Sequence, residues 1–299
     1  MRKSNTAKRS LWEEIKRNRH CYVWLLPFIL MFLFICIYPA VYGLYISFMD
    51  YDGLSNMSFC GLKNYRKAFN DPKFYQSLGN TFILWALIVP ARVIFALIMA
   101  CILNSKRLIG GSVYKLVVLL PYITASAVVA IVFRILLTTN GGFVNSLLGT
   151  NIGWLDTTGL SKVSISIMNL WRMTGYFALV LLAGMQKIPS SVDEAALIDG
   201  VGPVRKFFRI TIPLLVADIF FVGLISTIWI LQNVSDVMVL TQGGPINSST
   251  TLVYYIYRNA YEFGKMGYSS ALSYILFAIL LIFSLFLVKF YYGKQGDGK

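Results

Sequence analysis

The chain has 299 residues, 57% of them hydrophobic and only 13% charged, with a mean hydropathy of +0.65. Values this far toward the apolar side exclude an ordinary soluble domain and indicate a chain that crosses a membrane several times. The formal charge of +14 has the magnitude of a nucleic-acid binder, but its distribution along the chain follows membrane topology, so no nucleic-acid partner is expected.

Residues 1–21 are basic and polar, with Trp12, Ile15 and Arg19 at helical spacing. Such a segment forms either a short helix on the inner leaflet or a solvated tail, and both readings stand. Six later stretches meet the ~20 apolar residues that a ~30 Å hydrocarbon core requires: 22–48, 80–103, 113–137, 163–186, 214–234 and 270–292. Lipid offers no partner for open backbone groups, so all six are read as helices. The expected fold is therefore all-α and polytopic, with a six-helix transmembrane domain over 22–292 and a short tail at 293–299. With both termini cytosolic, 17 Lys and Arg lie inside, seven outside and three within spans, as the positive-inside rule requires. The first span is too long for a secretory h-region and reads as a retained anchor. Cys21, Cys36, Cys60 and Cys101 show no paired spacing, and His20 is the only histidine, so neither a metal site nor a His-based catalytic cluster is expected.

Between the first two spans, residues 49–79 are rich in aromatics and carry Gly61-Leu62-x-Asn64-Tyr65 and Asp71-Pro72-x-Phe74, a composition that predicts local structure rather than a linker. The second span contains Pro90, which should kink it, and Arg92, which must face protein or water: a functional role and a structural partner such as a backbone carbonyl both fit. The third contains Leu119-Leu120-Pro121-Tyr122 and, near its outer end, Phe133-Arg134, where the arginine can snorkel. Residues 138–162 read as a compact loop around Gly141-Gly142, Asn145 and Trp154.

The fourth span places Asn169, Arg172, Met173 and Tyr176 at i, i+3, i+4 and i+7, on one helical face. Ser226, Trp229, Ile230 and Asn233 repeat that spacing in the fifth, with Gln232 beside them and Asp236 a turn beyond. Aromatic faces pack on sugar rings while amides and hydroxyls bond their OH groups, so the stripes suit a hydrated solute. Helix association through polar and small residues, including Gly175 and Gly184, explains them equally well.

Between these spans, at 188–213, Pro189 stops one helix and Ser191-x-x-Glu194 has the form of a capping box. A helix of about eight residues is expected from near Val192, with Asp193 and Glu194 in its first turn and Gly200 supplying the left-handed stop. Too short to be stable alone, it should pack against something. After the fifth span, Thr241-Gln242-Gly243-Gly244-Pro245 forces a tight turn, and an outer helix is expected over 254–267.

Read as a string, Glu194-Ala195-Ala196, Asp199-Gly200 and Ile210-x-Ile212-Pro213 resemble the EAA loop of permease subunits of binding-protein-dependent ABC importers. The likeness extends over residues 22–290, includes Leu119-Leu120-Pro121-Tyr122, and through Thr241-Gln242-Gly243-Gly244-Pro245 points to the carbohydrate branch, similar to the larger maltose-type permease. The resemblance implies a coupling helix that seats in a separate ATPase subunit through Glu194, Ala195, Ala196, Asp199 and Gly200. It also implies solute contacts at Asn169, Arg172, Met173, Tyr176, Ser226, Trp229, Ile230 and Asn233. Arg172 and Met173 replace smaller or apolar residues of the maltose case, so maltose itself is not the expected solute.

The implied partners are a second permease subunit in a heterodimer, two ATPase subunits, a solute-binding protein on the outer side, and the lipid of a bacterial inner membrane. The chain lacks a Gly-x4-Gly-Lys-Ser/Thr phosphate loop, so ATP and Mg belong to the partner ATPase and this chain carries no cofactor. Alternatives are an ABC permease for another polar solute such as a glycerophosphate, a secondary transporter, for which the spans offer no acidic relay, and an intramembrane enzyme, for which convergent carboxylates are missing.

Overall fold

The computed structural model describes residues 19–54, 57–105 and 108–296. The expected N-terminal surface helix and the basic pair at 106–107 fall outside them. Among the described residues, four helices are long and apolar enough to cross a membrane, and six if each of two bent pairs counts as one span.

Helix α1 (Tyr22–Ser47) runs through a π-helical turn at Leu33–Ile37. It leads into a two-residue hairpin in which β1 (Met49–Asp50) pairs antiparallel with β2 (Ser58–Phe59), and then into α2 (Lys63–Phe69). The expected local order of this region is thus present. Asn64 secures it, donating through Nδ2 to the carbonyls of Ser47 and Met49 at 3.0 and 2.8 Å. Helix α3 (Pro72–Leu103) starts eight residues before the expected span: Pro72 occupies the first turn, where its missing N–H costs nothing, and Asp71 caps the helix by accepting from the Lys73 N–H at 2.9 Å. It continues as one helix past Pro90.

The third expected span is two helices, α4 (Gly111–Ile123) and α5 (Ser126–Leu136), meeting at 88°. Thr124 and Ala125 between them are extended, with ψ of 135° and 131°, so the helical ladder is cut rather than merely tilted. A short helix α6 (Phe143–Leu148) follows. The loop around it closes on Asn145, whose Nδ2 donates to the carbonyls of Thr139 and Ile152 and whose Oδ1 accepts from the Trp154 indole at 2.9 Å.

Helix α7 (Leu160–Met185) is the axis of the molecule and packs along α3. Together α3 and α7 contribute the centre of two apolar clusters, one built on Ile88, Ile165, Met168 and Leu231 and the other on Ala96, Phe177, Leu181 and Leu215. In lipid such contacts hold by close packing rather than by escape from water. A Cβ on Gly175 would lie 1.9 Å from the Val118 carbonyl oxygen, and one on Gly184 would lie 2.7 Å from Asp218 Cγ. Both glycines therefore serve helix contact.

After α8 (Ser190–Ile198), α9 (Pro203–Leu214) contains a π-helical turn at Phe207–Thr211 and meets α10 (Val216–Leu231) at 70°. The fifth expected span breaks again at 232–234, before α11 (Ser235–Leu240). The outer helix expected over 254–267 is shorter: α12 (Leu252–Tyr257) passes through a π-helical turn, Arg258–Glu262, and the chain restarts as α13 (Met266–Gly296), which packs on the second half of α1 and absorbs most of the expected tail.

Candidate functional site

The polar stripe of α7 faces a buried cluster that gathers three segments at one level. Asn169 Nδ2 donates to Asp236 Oδ2 at 2.5 Å, and Asn233 Nδ2 donates to the same oxygen at 2.8 Å. Arg172 Nη2 lies 3.5 Å from Asp236 Oδ1, close enough to attract yet not aligned for a hydrogen bond. Arg92 reaches across from α3 to donate to Asn169 Oδ1 and lays its guanidinium over the Phe177 ring, 5.3 Å from the centroid. Arg92, Asn169 and Asp236 are each 1% exposed. Burial of this depth is tolerable for charged groups only when they are partnered.

The helix break makes this arrangement possible. Asn233 sits where α10 has ended, and its Oδ1 accepts from the Asp236 N–H at 3.1 Å, opening α11 while its amide turns to the Asp236 carboxylate. The expected continuous face from Ser226 to Asn233 therefore holds only to Ile230. Ser226 is fully buried, and Ile230, 7% exposed, belongs to the apolar core. Met173 packs against the second apolar cluster.

One turn along α7 from Arg172, an aromatic wall forms. Tyr176 stacks on Tyr122 at 4.6 Å between centroids, and Trp229 lies 5.5 Å from Tyr176, 6.3 Å from Tyr122 and 5.4 Å from Phe177. Of the eight expected solute residues, Tyr176 and Trp229 meet in this wall, and Asn169, Arg172 and Asn233 meet in the charged cluster beside it. Tyr122, Arg92 and Asp236 complete the two groups. Asp236 lay one turn past the fifth-span stripe and Arg92 was an unexplained intramembrane charge, so a search for mutual partners among intramembrane charges would have joined them. Tyr122 gave no such signal, because its approach depends on the 88° bend beside it.

The second site is α8. It begins at Ser190 with Pro189 as its cap, so Ser191 lies inside the first turn and the expected capping box does not form. Its C-terminus matches expectation: Gly200 has φ +66°, the Gly200 N–H donates to the Leu197 carbonyl at 3.1 Å and the Val201 N–H to the Ala196 carbonyl at 2.9 Å, the paired bonds of a Schellman motif. Ala196 is buried, while Glu194, Ala195, Asp199 and Gly200 are exposed. Beside them Leu197 and Ile198 are 75% and 86% exposed. Asp193 pairs with Lys206 at 2.7 Å, tying α8 to α9.

A third polar group lies beside α2 and α12, in an open pocket of about 420 Å³. Asp71 Oδ2 accepts from the hydroxyls of Tyr255 and Tyr268 at 2.6 and 2.8 Å. Burial works to raise the Asp71 pKa, but the two phenols, the Lys73 N–H and the Lys73 charge together hold it below the usual carboxylate value. Burial and then the bond to Asp71 push the Tyr255 hydroxyl up to about 12.

The chain as a whole is similar to known proteins. Residues 92–294 match the family of binding-protein-dependent transport system inner membrane components. The chain belongs to that family. It is 34% identical to the lactose transport system permease protein LacF of Rhizobium radiobacter, over 94% of this chain and 97% of that one. It is 31% identical to the sn-glycerol-3-phosphate transport system permease protein UgpA of Pectobacterium atrosepticum, over 92% and 94%. In fold it is similar to a chain of a bacterial alginate ABC transporter crystallised with an alginate pentasaccharide-bound periplasmic protein, with a TM-score of 0.80 at 24% identity over 93% of this chain and 96% of that one.

Proposed function

We propose that this permease forms half of the translocation pathway of an ATP-driven importer for a sugar or oligosaccharide. It would pair with a second permease in a bacterial inner membrane, both termini cytoplasmic, with two ATPase subunits below and a solute-binding protein outside. The bent pairs α4–α5 and α9–α10 each count as one span in this reading, giving six.

The observation that carries the reading is α8. It is a nine-residue helix with both ends defined, and its exposed tip presents Leu197 and Ile198 beside Ala195 and Glu194. Apolar side chains so exposed on a short helix call for a protein partner. With no phosphate loop in this chain, that partner is the ATPase, gripping Glu194, Ala195, Asp199 and Gly200, while Ala196, expected among them, faces the chain's own interior and packs there instead. The Asp193–Lys206 pair and α9 would pass its motion to α10 and rock the bundle. The aromatic wall is the solute surface, with sugar rings stacking on Tyr122, Tyr176 and Trp229. The known relatives carry lactose and sn-glycerol-3-phosphate, and the wall favours the saccharide over the smaller phosphate ester.

Cysteine crosslinking from Ala195→Cys in the assembled complex tests the coupling. Capture of the ATPase subunit is expected, and import that proceeds normally without any such capture refutes it.

A further inference from the structure

The cluster beside the aromatic wall contains two guanidinium groups and one carboxylate. Among the described residues Asp236 is the one carboxylate within ion-pair distance of either arginine, so the group holds an excess positive charge in the membrane interior. Its polar capacity is also unfilled. Arg92 Nε and Nη1, and Arg172 Nε, have no hydrogen-bond partner although all three atoms are buried. An uncompensated charge inside a membrane is costly and commonly marks a transport path.

The excess lies close to the solute surface. Arg172 is one turn from Tyr176 on α7, and Phe177 touches both Arg92, at 5.3 Å, and Trp229, at 5.4 Å. Trp229 and Tyr176 are partly exposed, while both arginines are buried. A solute on the wall therefore feels the charge as a field through the ring layer, with no contact to either guanidinium.

We infer that this field makes the pathway selective for anionic saccharides, those bearing a carboxylate or another acidic group, over neutral or cationic ones. This rests on the proposed solute route along the wall. At ~10 Å and an effective dielectric constant of ~20, one unit charge favours an anion by roughly tenfold.

Collisional quenching of Trp229 fluorescence tests the field without knowledge of the solute. The signal is the difference between the full importer complex and its Trp229→Phe variant, read with iodide, caesium and neutral acrylamide at low salt. Acrylamide should reach the indole, and iodide should quench about a hundredfold better than caesium after normalisation to free tryptophan, roughly tenfold from each sign of charge. Arg92→Gln should bring the iodide-to-caesium ratio toward one, Asp236→Asn should raise it, and Arg92→Lys should leave it unchanged. A ratio near one in the unmodified complex overturns the inference, since an acid of the second permease then neutralises the cluster. So does an indole closed to acrylamide, because the wall is then off the route. Uptake of a neutral hexose trisaccharide against the matching uronic-acid trisaccharide separates the two readings. Preference for the uronate supports the inference and preference for the neutral sugar overturns it. Asymmetric quenching with neither saccharide imported supports the field and refutes the sugar assignment.

Discussion

Asp236 accepts a hydrogen bond from Asn169 at 2.5 Å, joining the broken end of the fifth segment to the middle of α7. That carboxylate also balances part of the charge of Arg172 and accepts from Asn233. It is the joint on which three segments of the bundle close.

Removing this joint should be severe. Asp236→Ala strands two buried guanidinium groups, and breaking a buried pair on one side costs about 3–5 kcal/mol. A large fall in the thermal midpoint of the purified protein is expected. Replacing both partners of the pair, Arg172→Met with Asp236→Leu, should recover only the share of the loss due to Arg172, because the Asn169 and Asn233 amides still lose their acceptor and Arg92 its nearby carboxylate.

Close helix approach gives a second prediction. A methyl at residue 175 would be driven into the Val118 backbone oxygen, which cannot swing aside as a side chain can. Gly175→Ala should therefore destabilise by about 1–3 kcal/mol, the range for overpacking. Gly223→Ala, where an added Cβ meets nothing within 4 Å, should stay within about 0.5 kcal/mol of the parent. Melting curves of the two variants in one detergent decide the matter.

The long apolar helices were legible because a hydrocarbon core imposes a length and composition that few other environments require. The terminus of α8 was legible too, since Gly200 is a local stop. The start of α8 lies two residues before the one its Ser191-x-x-Glu194 pattern predicts, because Pro189 can itself precede a first turn, making the Ser191 hydroxyl unnecessary. The breaks at Thr124-Ala125 and at 232–234 were not legible. Each falls at a few polar residues, Thr124 to Ser126 and Gln232-Asn233, within a stretch otherwise apolar enough to span, and the tertiary contacts beside them are the α4 path against Gly175 and the bond of Asn233 to Asp236. Since the aromatic wall depends on the first break, Tyr122 could be placed only by the structure.

Acidity should act on the group around Asp71. Its pKa is depressed in the folded protein, so the stability it contributes is complete above the ordinary carboxylate value of 3.8 and is lost as pH falls through the lower folded value. The Tyr255 pKa is raised, so its contribution is complete below 10.0 and is lost as pH climbs through about 12. Between these limits the contact of α12 with the start of α3 should be independent of pH. Hydrogen exchange of the α12 amides should rise at either extreme, and Tyr255→Phe should abolish much of the alkaline arm.

Coupling should fail when the end of α8 changes shape. Gly200→Val forces a β-branched residue to φ +66°, a conformation that costs an ordinary residue about 1–2 kcal/mol. The two Schellman bonds should be lost and the Leu197–Ile198 tip reoriented. In proteoliposomes, import and transport-stimulated ATP hydrolysis should fall together while the subunits still copurify. Lys206→Ala should have a much smaller effect, because its pair with Asp193 is half open to solvent and such pairs contribute roughly 0–1 kcal/mol.

The aromatic wall separates solute binding from helix packing. If sugar rings stack on Tyr122, Tyr122→Ala should remove one aromatic contact of about 0.5–1.5 kcal/mol, raising the KM for uptake by roughly two- to tenfold with little change in assembly. Tyr122→Phe keeps the ring face and should transport nearly as the parent does. Pure packing gives the opposite pattern, because the stacked pair Tyr122–Tyr176 then serves only to hold α4 against α7. Tyr122→Ala would in that case lower the melting temperature and leave KM unchanged. Measuring KM and the thermal midpoint on one preparation of each variant tells the two apart, and an unchanged KM with a depressed midpoint removes Tyr122 from the solute surface.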